Sequence, residues 1–304
     1  MLPYMPFFAQ YWPFIVTGLV CYIAARFLYQ TTVAYERAGQ GDQGSEKRAR
    51  KGGYRTPDQV AEVADPDEGD IEDGEVELTS ALPWDLEHVP LQFTRLPIDE
   101  TIRRSQEFYT FMNQRRTVRF FSPDPVPADV IRNIIRAAGT APSGAHTEPW
   151  TYVVVSDPDM KKKVRDIVEE EEQVNYTKRM GDQWITDLKP LKTNWIKEYL
   201  TTAPYLILVF KQQYSLKEDG TKRIHYYNEM SVALACGILI TAIHYAGLVS
   251  LTSTPLNCGP ALRTLLGRPN SEKLTLLLPV GYPAEDATVP DLKRKPLEDI
   301  LVEI

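Results

Sequence analysis

Two short stretches hold the residue types that chemistry would need. RRTVRFFS sets Arg115, Arg116 and Arg119 close together, and forked guanidiniums of this kind grip a phosphate bidentately. The same string would also suit an arginine-rich helix end that is solvated or paired with surface acids. VEEEEQVNYTKRM, at 168–180, sets four glutamates just ahead of Tyr176. A carboxylate and a phenol at i and i+4 share one helix face and can close on a small ligand, although a charged run is ordinarily a solvated face. DLKRKP offers Arg294, and the loop APSGAHTEPW offers His146, a residue type suited to acid–base work but equally to holding a loop together.

Several chemistries lack their signatures. GxGxxG after a strand, GxxxxGK[ST] and GxSxG are all absent, so a dinucleotide fold, a P-loop and a covalent serine hydrolase have no support. Cys21, Cys236 and Cys258 are too few and too scattered for a disulfide framework. The four histidines show no HExxH pairing, and no metal site is expected. A net charge of −7 argues against a general nucleic-acid binder.

The elements that must position these residues form an α+β pattern. PIDETIRRSQEFYTFMNQRR has an acid-rich first turn and basic residues at its end, which predicts a helix leading into the arginines. VPADVIRNIIRAAG predicts a second helix, with Pro127 near its start and Ile131, Ile134 and Ile135 on one face. TYVVVSD, YLILVFK, LVSLTST and KLTLLLPVGYP read as strands. Between them lie a charged helix over 157–179 and the apolar YYNEMSVALACGILITAIHYAGL, too polar at its start for a membrane span and expected to be the central buried helix. With 304 residues and 43% hydrophobic content, the chain can bury a sizeable core.

Before residue 91 the sequence changes character. The first 25 residues carry no charge and PFIVTGLVCYIAARFLY can span a bilayer, so residues 1–31 are expected to anchor the chain in a membrane; a cleaved signal peptide is the rival. Arg26 and the five basic residues of KRARKGGYR then place the C-terminal bulk in the cytosol, at a plasma or vesicle membrane. Residues 32–90 read as a disordered charged linker, including EVADPDEGDIEDGEVE with nine acids and no base. A folded domain is expected over 91–304.

In order, RRTVRFFS, TAPSGAHTEPWTYVVV, EEEEQVNYTKRM, TNWIKEYLTTAP, HYYNEMSVALACG, TSTPLNCGP and VPDLKRKP resemble the iodotyrosine deiodinases, membrane-anchored flavoproteins of the nitroreductase superfamily. The resemblance runs from about Ser105 to the C-terminus. It implies a nitroreductase-like mixed sheet flanked by helices, and FMN bound at the interface of an intertwined homodimer. It also implies reductive deiodination of mono- and diiodotyrosine, with an NADPH-dependent reductase as partner.

Residue by residue, the resemblance puts Arg115, Arg116, Thr117, Val118 and Arg119 on FMN, with Arg294 completing the phosphate grip. Pro142, Ser143 and Gly144 belong to a second FMN segment, next to Ala145, whose N–H would meet the substrate phenolate. Thr252, Ser253 and Thr254 form the third, with the Thr254 hydroxyl near flavin N5, where it would favour stepwise electron transfer over hydride transfer. Glu172, Tyr176 and Lys197 would hold the amino-acid zwitterion and order a lid. On a helical wheel begun at Met160, Val164, Ile167, Val168 and Val174 share a stripe with Glu171 in its middle. Glu172 lies beside the stripe toward solvent, Glu169 and Glu170 read as solvated face, and Glu171 has no assigned role. Two rivals share parts of this pattern: a general FMN nitro- or quinone reductase, and a noncatalytic membrane-tethered flavin-binding adaptor.

Overall fold

The computed structural model describes residues 82–216, 220 and 222–304; the expected anchor and most of the expected linker lie outside them. The strands are β1 (Trp150–Val155), β2 (Tyr205–Gln212), β3 (Tyr214–Leu216), β4 (Lys222–Ile224), β5 (Val249–Ser250) and β6 (Glu272–Gly281). Four of them form the main sheet in the order β1-β2-β6-β5, and β3 pairs with β4 in a separate hairpin. The main ladders are antiparallel; a parallel bridge between Thr117 and Ser250 makes the sheet mixed.

The apolar runs of β2 and β6 lack a polar face because both sides of the sheet are covered. Ile207, Val209, Leu278 and Val280 point to one side, against Ile131 and Ile134 of α2 (Ala128–Ala138) and Val232, Leu239 and Ile243 of the long helix Asn228–Tyr245. Leu206, Leu208, Phe210 and Leu277 point to the other, against Val164 and Val168 of the helix Pro158–Val174, with Leu200 and Leu262. Each such side chain contributes about 1.5–3 kcal/mol on burial. Numbered in chain order, the helices are α1 (Ile98–Asn113), α2, α3 (Pro158–Val174), α4 (Asp182–Leu188), α5 (Tyr199–Thr202), α6 (Asn228–Tyr245) and α7 (Gly259–Leu265).

Three expectations need correction. The helix expected over 157–179 is α only to Val174; Asn175–Arg179 is a π turn. The strand expected from LVSLTST is only Val249–Ser250. Its pairing with β6 holds at Ser250–Val280, resumes at Ser253–Leu277 and fails between, where Pro279 has no N–H to give. Thr252 and Thr254 are thereby left exposed on a loop. The central helix α6 is long and apolar enough to cross a membrane by length and composition. Its Val232, Ala235, Cys236, Leu239 and Ile243 nevertheless pack in the core, while Met230, Leu234 and Tyr245 are exposed, so it is buried on one face rather than all round.

Candidate active site

The segment after α1 is stitched between two others. Val118 N–H donates to Ser250 O at 3.2 Å on one side, and Ser122 N–H to Tyr282 O at 2.9 Å on the other. That fixes Arg115, Arg116, Thr117 and Arg119 along a cleft of about 660 Å³, whose far wall is the C-terminal segment with Pro290 and Arg294. Arg116 donates to Pro290 O, and Arg294 Nη2 donates to Arg115 O at 2.9 Å, so the two walls are tied together. Among the described residues no carboxylate pairs with any of these four guanidiniums. Burial, then Arg294 and Arg116, hold the Arg115 guanidinium below its ordinary pKa. Repulsive cations gathered without a carboxylate counter-ion can receive an anion, and they are not paired with surface acids among the described residues.

Thr117 and Ser250 leave their parallel bridge in the same direction, toward Arg119 and Thr252 respectively. The third predicted segment, 252–254, therefore starts beside the arginine segment. Ser253 is held by reciprocal backbone hydrogen bonds to Leu277 of 2.8 and 2.9 Å, which leaves its neighbours Thr252 and Thr254 outward.

The glutamate run divides in a way the helical wheel does not capture. Glu172 is less exposed than Glu171, 14% against 31% for the side chains, and turns inward to place Oε2 3.3 Å from Lys197 Nζ. Glu171 pairs with Arg179 at 2.5 Å, a partner eight residues away that the π turn brings back over the helix. Glu169 is not simply solvated: it pairs with Arg165 at 2.7 Å and accepts the Lys197 backbone N–H at 2.6 Å. A wheel assumes uniform 100° steps, and a π turn breaks that assumption at its own position and alters which partners lie opposite the preceding turn.

Lys197 is only 6% exposed. Burial lowers its pKa, and Glu172 opposes the shift. Its Nζ lies 5.6 Å from the ring centroid of buried Tyr176, which Trp184 and Trp195 flank edge-on at 4.8 and 6.1 Å. Burial, then Glu172, push the Tyr176 phenol up, so that it keeps its proton at neutral pH and can donate a hydrogen bond. Arg119 acts electrostatically on Tyr176, Lys197 and Tyr199, which joins this cluster to the arginine segment. Sequence reasoning missed Tyr199, whose half-buried phenol is also raised by burial and Glu172; its only signal was its place two residues after Lys197.

The loop 142–148 is positioned differently. Ser143 Oγ accepts the Glu148 N–H at 2.9 Å, and Ala145, His146 and Glu148 all take positive φ near 50°. Three non-glycine residues in the left-handed region store backbone strain, which surrounding structure must hold. The Ala145 N–H has no acceptor among the described residues. Exposed His146 lies 3.8 Å from Glu148, which suits a loop-holding histidine.

Gly144 is needed for close approach, since a Cβ there would lie 2.9 Å from Tyr226 O. Gly144→Ala is expected to cost about 1–3 kcal/mol by forcing the backbones apart, read as a lower Tm. A Tm equal to that of the parent would show that the approach is not tight.

One chain does not bring this loop to the arginine cleft. Gly144 N–H donates to Ser231 Oγ at 3.4 Å, near the start of α6, whereas Arg115 and Arg116 line a small cavity with Ile243 and His244 at its end. Those points are about 18 Å apart along the helix at 1.5 Å per residue.

The profile of the nitroreductase family matches residues 112–282. The sequence is 64% identical over 219 residues to iodotyrosine deiodinase 1 of Mus musculus, covering 72% of this chain and 77% of that protein. It is 51% identical to iodotyrosine deiodinase of Daphnia pulex, covering 98% of each. A crystal structure of oxidized iodotyrosine deiodinase bound to FMN and 3-iodo-L-tyrosine superposes with a TM-score of 0.53 at 30% identity, covering 62% of this chain and 94% of that one. A cleft lined by unpaired arginines, a largely buried carboxylate–ammonium–phenol cluster beside it and these likenesses agree: the chain belongs to the nitroreductase family, among the iodotyrosine deiodinases.

Proposed function

We propose that this protein removes iodide reductively from 3-iodotyrosine and 3,5-diiodotyrosine, with FMN carrying the electrons. The observation that carries the proposal is the cluster of Glu172, Lys197 and Tyr176, buried or nearly so, beside the segment with Arg119. A carboxylate, an ammonium and a protonated phenol are what an amino-acid zwitterion requires. The unpaired guanidiniums of Arg115, Arg116 and Arg294 suit the single terminal phosphate of FMN, which needs no glycine-rich turn.

When bound, FMN supplies the electron pair that, with a proton, replaces iodide on the ring. The rest falls to the chain. Glu172 accepts from the substrate ammonium, while Tyr176 and Lys197 donate to its carboxylate. The unsatisfied N–H of Ala145 would donate to the phenolate oxygen, and Thr254, with Thr252 and Ser253 in the same segment, would offer its exposed hydroxyl to the flavin. Pro142, Ser143, Gly144, Thr117 and the Val118 backbone complete the cofactor contacts. Closure of the cluster over the ring would exclude water and align substrate with flavin.

The site is completed by a second copy. With the 142–145 loop and the arginine cleft at opposite ends of α6, a two-fold pairing would bring the loop of one protomer to the cleft of the other. α1 has no buried residue and exposes Ile102, Phe108 and Tyr109, and α6 exposes Met230 and Leu234, as an intertwined homodimer requires. Residues 1–31 would tether the assembly to a membrane with the catalytic domain in the cytosol, and an NADPH-dependent reductase would supply the electrons.

The full-length protein, purified in detergent, is expected to be yellow and to release iodide from diiodotyrosine when given dithionite. Colourless protein would overturn the assignment of FMN, and yellow protein inert toward both diiodotyrosine and nitroarenes would favour the noncatalytic flavin-binding adaptor. Yellow protein that reduces nitroarenes but leaves diiodotyrosine intact would favour a general reductase.

A further inference from the structure

Asn175, the first residue of the π turn, is 1% exposed, and its side-chain amide makes one bond as donor and one as acceptor. Its Nδ2 donates to Glu172 Oε1 at 3.2 Å, and its Oδ1 accepts from Arg179 Nη1 at 3.1 Å. A guanidinium only donates and an ionised carboxylate only accepts, so these neighbours determine which way the amide faces. Arg179 is itself held by Glu171 at 2.5 Å.

The surroundings of Glu172 explain why its carboxylate needs such a tie. Lys197 lies 3.3 Å from Oε2, and Arg119, Tyr176 and Tyr199 also act in the pocket. With both oxygens free, the carboxylate could rotate wholly onto Lys197; the pair would then satisfy itself and present nothing to a zwitterion. Asn175 prevents this by engaging Oε1 and leaving Oε2 for the shared position between Lys197 and the ligand.

We infer that Asn175 is a positioning residue that sets the Glu172 carboxylate for amino-acid recognition, and that the π turn serves to place its amide between Glu172 and Arg179. This rests on Glu172 being the ammonium acceptor, and it makes affinity for the amino-acid end of the substrate, not for the iodinated ring, depend on Asn175.

The test uses the FMN-loaded full-length protein, with quenching of flavin fluorescence as the measure of binding and two probes: 3-iodotyrosine, and 2-iodophenol, which has the ring and no zwitterion. Asn175→Asp keeps the acceptor for Arg179 but repels Glu172, and Asn175→Leu removes both bonds. Each is expected to weaken 3-iodotyrosine about ten- to a hundredfold, the range for a hydrogen bond to a charged group, with 2-iodophenol binding unchanged. In a Glu172→Gln background, Asn175→Leu should add little further loss, because the two residues act as one unit.

Equal weakening of both probes would mean a merely structural role and would overturn the inference. So would unchanged 3-iodotyrosine affinity in the Asn175 variants when Glu172→Gln weakens it. If Glu172→Gln itself leaves 3-iodotyrosine binding intact, the assignment of Glu172 to the substrate fails first, and this inference fails with it.

Discussion

Replacing Lys197 with methionine is expected to weaken 3-iodotyrosine binding by about ten- to a hundredfold, in line with the loss of a charge-assisted hydrogen bond, while FMN stays bound. Methionine is close to the lysine stem in length and keeps the packing against Tyr176. What it removes is the ammonium 3.3 Å from Glu172. The substrate carboxylate then loses its cation, and Glu172, only 14% exposed, loses its cationic partner in the free protein and keeps only the neutral Asn175 amide. Leaving a buried charge unpaired costs about 3–5 kcal/mol in the worst case, reduced where water can reach it. A lower Tm should therefore accompany the affinity loss, and Glu172→Gln in the same chain should restore part of the Tm without restoring binding. Isothermal titration with 3-iodotyrosine reads the first quantity and thermal melting the second. Undiminished affinity in Lys197→Met would remove the zwitterion grip from this site.

Lys197→Arg should not substitute. The ammonium sits under tight constraints, 2.5 Å from Asn194 O and over the Tyr176 ring. A planar fork cannot occupy the position of a compact point charge without displacing one of them.

The contrast between Lys197 and the glutamates shows where the sequence is legible. α2 could be read because isoleucines at 131, 134 and 135 repeat with the helical period, and β2 and β6 because aliphatic runs bounded by turns suit a sheet covered on both faces. Both signals are local and are carried by burial alone. The glutamate run is different, since Glu169, Glu171 and Glu172 are distinguished only by partners elsewhere: Arg165 with the Lys197 backbone, Arg179, and the Lys197 ammonium. Apart from Arg165–Glu169 at i, i+4, no period in the sequence encodes those pairings, and the π turn that carries Arg179 back to Glu171 has no signature of its own. The resemblance selected Glu172 and Tyr176; the wheel, left alone, turned Glu172 outward. Likewise Pro279 was plain in the string, yet its consequence, a broken ladder that frees Thr252 and Thr254, follows only once Ser250 and Ser253 are seen to pair on either side of it.

Arg115→Met should move stability and function in opposite directions. Burial together with Arg294 and Arg116 already holds the Arg115 guanidinium below its ordinary pKa, and no carboxylate among the described residues relieves it. In the apoprotein that charge opposes folding, so its removal is expected to leave Tm unchanged or raise it. The tie between the cleft walls survives, because Arg294 bonds the Arg115 carbonyl and not its side chain. FMN binding should nonetheless weaken by about 1.5–3 kcal/mol, or roughly ten- to a hundredfold in Kd, since the phosphate loses a charged donor in a partly dry cleft. Exposed Lys293→Met on the same wall carries a similar charge at a solvated position and should change Kd far less. Quenching of FMN fluorescence on titration with apoprotein measures both variants. A stable Arg115→Met protein with parental FMN affinity would show that the cations of this cleft are gathered for some other anion, and the assignment of the phosphate to it would have to be abandoned.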